Sequence, residues 1–318
     1  MKKILALVII FLLLLFAVRG WWQFQTSSVS SDESVKTVII PKGASVGEIA
    51  TQLKKENLIK SELTFKLLAR QNGLGDKLQA GTFQLSPAMS TIQIMEILSK
   101  GADDIWVTLI EGWRVEEMAS EIAKNFEDNS ESFVTNAEEG YMFPDTYLFP
   151  KDSTVEFIAK TLRNTFNERY SEELKVKIRK QGLSDKEGVI LASLVEREGR
   201  SDKVRTEIAG ILLKRLNIGM KLDVDATVQY ALGYQSAEKS WWKRHITKED
   251  KEIKSPYNTY KNPGLPPAPI CNPSLSSLEA VANANPDTPY LYYYHDSKGN
   301  SHYGKTLDEH LDNVANNP

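Results

Sequence analysis

The sequence predicts an α+β protein: a single N-terminal transmembrane helix, a small βα domain, then a mainly helical domain that closes with a short C-terminal β-hairpin. Three observations carry this. An apolar run follows the first three residues, a β-turn-α pattern occurs twice, and helical periodicity then dominates until two tyrosine- and histidine-rich strands appear near the end.

The apolar run comes first. After Met1-Lys2-Lys3, fifteen uninterrupted apolar residues extend from Ile4 to Val18, followed by Arg19, Gly20 and the pair Trp21-Trp22. A helix needs about 20 residues to cross the hydrocarbon core, so the run is short. Lysines that snorkel on one side and interfacial tryptophans on the other supply the remainder. A secretory signal peptide is the competing reading. Against it, the AVRGWW that follows offers no small-x-small cleavage pattern, and no cysteine follows that could carry a lipid. We expect an uncleaved anchor over residues 1–25, N-terminus cytoplasmic and the remainder extracytoplasmic. TSSVSSDES, from Thr26 to Ser34, lacks periodicity and reads as a flexible tether over residues 26–34.

VIIPKGASVGEIATQL begins at Val38 and VTLIEGWRVEEMASEI at Val107. Without a gap, Val38 aligns with Val107, Gly43 with Gly112, Val46 with Val115 and Glu48 with Glu117. Each copy reads as a strand, a glycine turn and an amphipathic helix. Between them LTFKLLARQNG predicts a helix stopped by Gly73, LQAGTFQLSP a strand, and STIQIMEILSKG a helix stopped by Gly101. The two domains are accordingly expected at residues 35–105 and 106–318.

In the second domain, GYMFPDTYLFP (Gly140–Pro150) interrupts the helices as an aromatic, proline-rich loop. ILASLVEREG belongs to a helix that starts at Ser184, where Glu187 completes a capping box. YLYYYHD and SHYGKTL form a strand pair turned at Lys298-Gly299-Asn300.

Composition excludes several classes. Charged residues make up 25% against 41% hydrophobic, which argues for a folded rather than a disordered chain. A net charge of −3 argues against a nucleic-acid partner. One cysteine, Cys271, rules out an internal disulfide, and the four histidines show no metal-ligand spacing. No metal and no cofactor is expected.

Two carboxylates close the ILASLVEREG helix. Glu196 follows Ala192 and Ser193 at helical spacing, small residues that leave room for a sugar ring; Glu198 follows the bulkier Leu191, Leu194 and Val195. On spacing alone two readings stand: the helix surfaces here and both acids are solvated, or one acid is kept partly dry, its pKa raised for general acid catalysis. If one faces a cleft, this reasoning selects Glu196. Asp223 and Asp225 in KLDVDATVQY are candidates for a second carboxylate, or for helix caps. SPYNTYKNPGLPPAPI gathers Ser255, Tyr257, Asn258, Thr259 and Tyr260, groups suited to hydrogen-bonding carbohydrate.

With these stretches in order, the chain resembles the endolytic murein transglycosylase family, the MltG-like or YceG-like proteins. The resemblance rests on PKG…EIA, EGW, FPDTY, LASLVERE, KRLNIGMKLDVDATVQY, SPYNTY…GLPPAPI…NPS and YLYYYHD…G…HYGKTLDEH, from about Val35 onward. It implies a LysM-like first domain, a catalytic second domain, a membrane anchor and peptidoglycan glycan strands as substrate. The cytoplasmic membrane and peptidoglycan synthases are the implied partners. It also implies Glu196 as the catalytic acid, with Asp225 and Thr227 joining the SPYNTY residues as substrate contacts. The implied reaction cleaves the MurNAc–GlcNAc bond and leaves a 1,6-anhydro-MurNAc end, terminating nascent strands. A hydrolytic muramidase and a non-catalytic peptidoglycan-binding membrane protein are the rival readings. Ala226, Ala268 and Ser274 depart from the family's usual proline, glycine and glycine.

Overall fold

The computed structural model describes residues 2–101, 104–126, 130–151 and 153–317, with backbone alone for residues 2–9. It is a mixed α+β structure, mostly helical, with small two-stranded sheets. The chain divides into two compact units, Met1–Trp106 with Leu148–Asp152, and Val107–Tyr147 with Ser153–Pro318.

The first unit opens with α1 (Lys2–Thr26). The anchor expectation lies partly outside the described residues, because the side chains of 2–9 are not among them. Among the described residues no helix is long and apolar enough to cross a membrane. The segment read as a flexible tether is instead held down: the Val29 and Ser30 amides donate to Pro87 O, and Ser86 Oγ donates to Asp32 O. Next come β1 (Lys36–Ile40), α2 (Val46–Lys55), α3 (Glu62–Gln71), β2 (Gly81–Leu85) and α4 (Thr91–Lys100). Strands β1 and β2 pair antiparallel with Val38 opposite Phe83. Alternation along β1 buries Val38 and Ile40 and leaves Ile39 out. Ile49, Leu53, Phe65, Ile94 and Leu98 close the core from the helices. Ser45 with Glu48, and Ser90 with Gln93, form capping boxes.

A second sheet joins β3 (Asp104–Thr108) to β4 (Thr146–Pro150). The FPDTYLFP stretch read as a loop therefore ends in a strand. The strand-glycine-helix repeat is present twice: Gly43 and Gly112 both take positive φ, 83° and 75°, before α2 and α5 (Val115–Ile122).

The second unit continues with α6 (Ser130–Asn136), α7 (Val155–Arg169), α8 (Glu172–Lys180), α9 (Asp185–Glu198), α10 (Asp202–Asn217), α11 (Asp225–Leu232) and α12 (Leu275–Ala282). Strands β5 (Tyr292–His295) and β6 (Ser301–Gly304) follow, then α13 (Leu307–Asn316). Helix α9 is the axis of this unit. It starts at the Ser184–Glu187 capping box, and every residue from Gly188 to Val195 is buried. Helices α8, α10 and α12 pack around it, which is why its sequence is apolar on all sides rather than on one stripe. The β5–β6 hairpin pairs Tyr293 with Tyr303, and α13 packs on it.

Candidate active site

The last turn of α9 carries both acids out of this core, and they meet different surroundings. Glu196 is enclosed, with its side chain only 4% exposed. Arg205 Nη2, from α10, donates to its Oε1 at 2.8 Å. The Ser274 backbone amide and hydroxyl both donate to its Oε2, at 2.8 and 2.5 Å. Ser274 is also the N-cap of α12, so one of the departures from the family pattern supplies a hydroxyl to this carboxylate. The space that Ala192 and Ser193 were read as leaving is filled. Both are fully buried, and Ser193 Oγ donates to Ile190 O while accepting the Ile270 amide of the proline-rich loop. No room for a sugar ring lies on that side.

Glu198 is half-buried and lines a cleft of about 550 Å³. Asp223, Asp225, Lys251, Tyr260, Tyr293, His295 and His310 share its wall. Burial pushes the Glu198 carboxyl up to about 7, and the nearby Asp225 charge adds to this. The Tyr293 hydroxyl, the Arg197 charge and the Ala226 backbone amide hold it back from rising further. A carboxyl tuned to this range is half-protonated near neutrality, as a group that gives and then retakes a proton requires.

Asp225 stands in the first turn of α11, with Val224 as the N-cap. Its Oδ1 accepts from the Tyr260 hydroxyl at 2.6 Å and pairs with Lys251 Nζ at 2.9 Å. Asp223 takes a left-handed backbone, φ 52°, which brings it to the cleft wall rather than into a cap.

The rest of the expected substrate-binding set separates into two groups. Tyr260 reaches the cleft. Asn258, Thr259 and Thr227 are wholly buried and occupied by the protein itself. Asn258 Nδ2 donates to Lys251 O and Ile253 O, and its Oδ1 accepts the Tyr260 amide. Thr259 Oγ1 accepts the Val224 amide and shares a hydrogen bond of 2.9 Å with Thr227 Oγ1. They shape the loop that presents Tyr260 and Asp225, and none of the three lines the cleft. Ser255 Oγ accepts the Tyr257 amide, and the Tyr257 ring packs on Tyr230 in a tilted pair with centroids 4.7 Å apart; neither lines the cleft.

The cleft wall also carries Lys251, Tyr293, His295 and His310, which the sequence did not single out for the site, and Glu198, which it placed second to Glu196. The run YLYYYHD carried a signal: a strand with polar rings at successive positions presents them on both faces, an unusual need for a purely structural hairpin.

The sequence profile of the YceG-like family matches residues 38–316. The chain belongs to the YceG-like family. An endolytic murein transglycosylase of Bacillus subtilis (strain 168) is 35% identical over 304 residues, covering 85% of this chain and 81% of that protein. One from Streptococcus pneumoniae serotype 2 is 30% identical over 322 residues, 88% of this chain and 58% of its own length. A crystal structure of a YceG-like protein from Listeria monocytogenes aligns with a TM-score of 0.59 at 29% identity, over 88% of this chain and 99% of that one. In this YceG-like chain, the helix that ends in the two acids, the KLDVDATVQY turn and the YLYYYHD strand all fall within the matched residues.

Proposed function

We propose that this protein is an endolytic peptidoglycan lytic transglycosylase in which Glu198, rather than Glu196, is the acid and base. The observation that carries the assignment is the contrast within one helical turn. Glu196 is held by Arg205 and by both donors of Ser274, whereas Glu198 lines the cleft with its carboxyl raised to about 7. The names of the relatives support the reaction class.

In this mechanism a MurNAc–GlcNAc bond lies across the cleft. Protonated Glu198 gives its proton to the glycosidic oxygen as the C1–O bond breaks, and positive charge develops at C1. Glu198, now a carboxylate, takes the proton of the MurNAc C6 hydroxyl as that oxygen bonds to C1. The products are a 1,6-anhydro-MurNAc end and a free GlcNAc hydroxyl, with no water consumed. One residue suffices because the nucleophile belongs to the substrate. Asp225 keeps Glu198 protonated before the first step and is itself restrained by Tyr260 and Lys251.

We read the first unit as LysM-like, which the order β1–α2–α3–β2 with its antiparallel pair supports. We place α1 in the cytoplasmic membrane and the second unit outside the cytoplasm, acting on nascent strands beside their synthases. Ile10 to Phe16 are 50% or more exposed on every side of α1, a surface that water does not tolerate over such a length.

Mass spectrometry of glycan strands incubated with the detergent-solubilised full chain tests the reading. Fragments one water lighter than hydrolysis products, absent with Glu198→Gln and present with Glu196→Gln, are the expected result. Full-weight reducing ends make the protein a muramidase with Asp223 positioning water. Intact strands return it to the binding-module reading.

A further inference from the structure

Helix α3 wears the wrong outer face for water. Its core side, Thr64, Phe65, Leu68 and Ala69, is buried. Its outer side repeats at positions 63, 66, 67 and 70, one face of a helix, and there Leu63 is 61% and Leu67 44% exposed beside the exposed cations Lys66 and Arg70. Glu62 flanks this face, 3.8 Å from Lys66 Nζ, with its other contact to Thr51 Oγ1.

This face is tied to the end of α1. Lys60, just before α3, donates through Nζ to Phe24 O at 3.2 Å and to Ser27 Oγ at 2.9 Å, and its ammonium sits 4.0 Å from the Phe24 ring centre. Trp22 packs against the core of the same unit. No loose linker separates the apolar helix from the globular unit, because the chain beyond it is hydrogen-bonded to Pro87 at once. Trp21 and Phe24, at the end of α1, are exposed as well.

We propose that the outer face of α3 lies on the membrane surface, with Leu63 and Leu67 at the headgroup–acyl boundary and Lys66 and Arg70 on anionic lipid headgroups. The inference rests on the placement of α1 in the bilayer, and it commits to lipid for two reasons. Helix α3 packs on the end of α1, where Trp21 and Phe24 are themselves exposed, and leucines flanked by cations match an anionic interface in both polarity and sign. Such a contact fixes the first unit against the membrane instead of leaving it to swing from a tether.

Cys271 is fully buried, so an introduced surface cysteine is the one that a fluorophore will find. The full chain carrying Leu67→Cys, labelled and reconstituted in vesicles of phosphatidylcholine with phosphatidylglycerol, is expected to be quenched by lipids bearing a nitroxide near the headgroup. Quenching should be weaker in phosphatidylcholine alone. Lys66→Gln with Arg70→Gln should shift the docked equilibrium roughly thirtyfold toward the free face. A parallel label at Leu12→Cys, read with mid-chain nitroxide lipid, reports on α1. Quenching at 12 without quenching at 67 overturns the α3 proposal and leaves the anchor standing. Quenching at 67 alone sinks the anchor and keeps the α3 contact. A label at 67 that reports an apolar surrounding yet ignores the nitroxide lipid means a protein covers the face, which also overturns the proposal.

Discussion

Arg205 Nη2 stands 2.8 Å from Glu196 Oε1, and the same guanidinium donates through Nη1 to Ser276 Oγ at 3.1 Å at the start of α12. Glu196 thereby joins three helices, α9, α10 and α12, at a point where its charge is almost wholly removed from solvent. Breaking one partner of such a pair leaves the other uncompensated. We expect Arg205→Ala to cost about 3 kcal/mol in chemical denaturation. Glu196→Gln, which keeps an acceptor for Ser274, should cost about 1–3 kcal/mol. Glu196→Gln that retains at least a tenth of the turnover per folded molecule would separate a structural from a catalytic role.

The pH profile examines Glu198. Because its folded pKa is raised to about 7 and the acid form starts the reaction in the proposed mechanism, kcat/KM should fall as pH rises through about 7. Asp225→Asn removes a charge that favours the protonated form, so the falling limb should move to lower pH. A limb that stays in place or moves upward contradicts the assignment. Glu198→Gln should lower turnover by about 10²-fold or more at every pH.

Glu139 offers a test of stability free of catalysis. Its carboxyl accepts the Val115 amide and Asn272 Nδ2, and burial, with Glu116 nearby, pushes it up to about 8. A carboxyl whose folded pKa lies above its unfolded value of 4.5 holds its proton more tightly when folded. Its contribution is full below the unfolded value and is lost as pH rises through the folded one. Unfolding free energy should therefore decline from about pH 5 to about pH 9, by up to about 5 kcal/mol from this group. In Glu139→Gln the decline should be shallower by that amount.

Asn272 is the hub of the same region. Its Oδ1 accepts the Gly140 and Met142 amides, both at 2.9 Å, and its Nδ2 donates to Trp113 O and Glu139 Oε1. Asn272→Ala strands several buried groups and should cost about 3 kcal/mol by denaturant titration. Gly140→Ala should also destabilise: φ there is 88°, and an added Cβ would come within 2.4 Å of the Pro269 ring. A midpoint unchanged in either variant contradicts this packing.

Much of the architecture was legible in local sequence because it is set by local physics. Ser184 with Glu187 marks the start of α9, Gly43 and Gly112 mark the turns of the repeated unit, and Lys298-Gly299-Asn300 turns the hairpin. The β4 strand was hidden by its prolines and aromatics, and the ordered path of residues 27–34 depends on Pro87, far away in sequence. Which of the two carboxylates faces the cleft lay beyond the sequence for a geometric reason. Glu196 and Glu198 are about 200° apart around one helix, so spacing shows that they point different ways and says nothing of what each will meet. Arg205 and Ser274 meet the first; Asp225, Ala226 and Tyr293 meet the second. Those partners are assembled from α10, α11, α12 and β5, so only the packing of the whole unit could make one carboxylate a strut and the other a tuned acid beside the cleft.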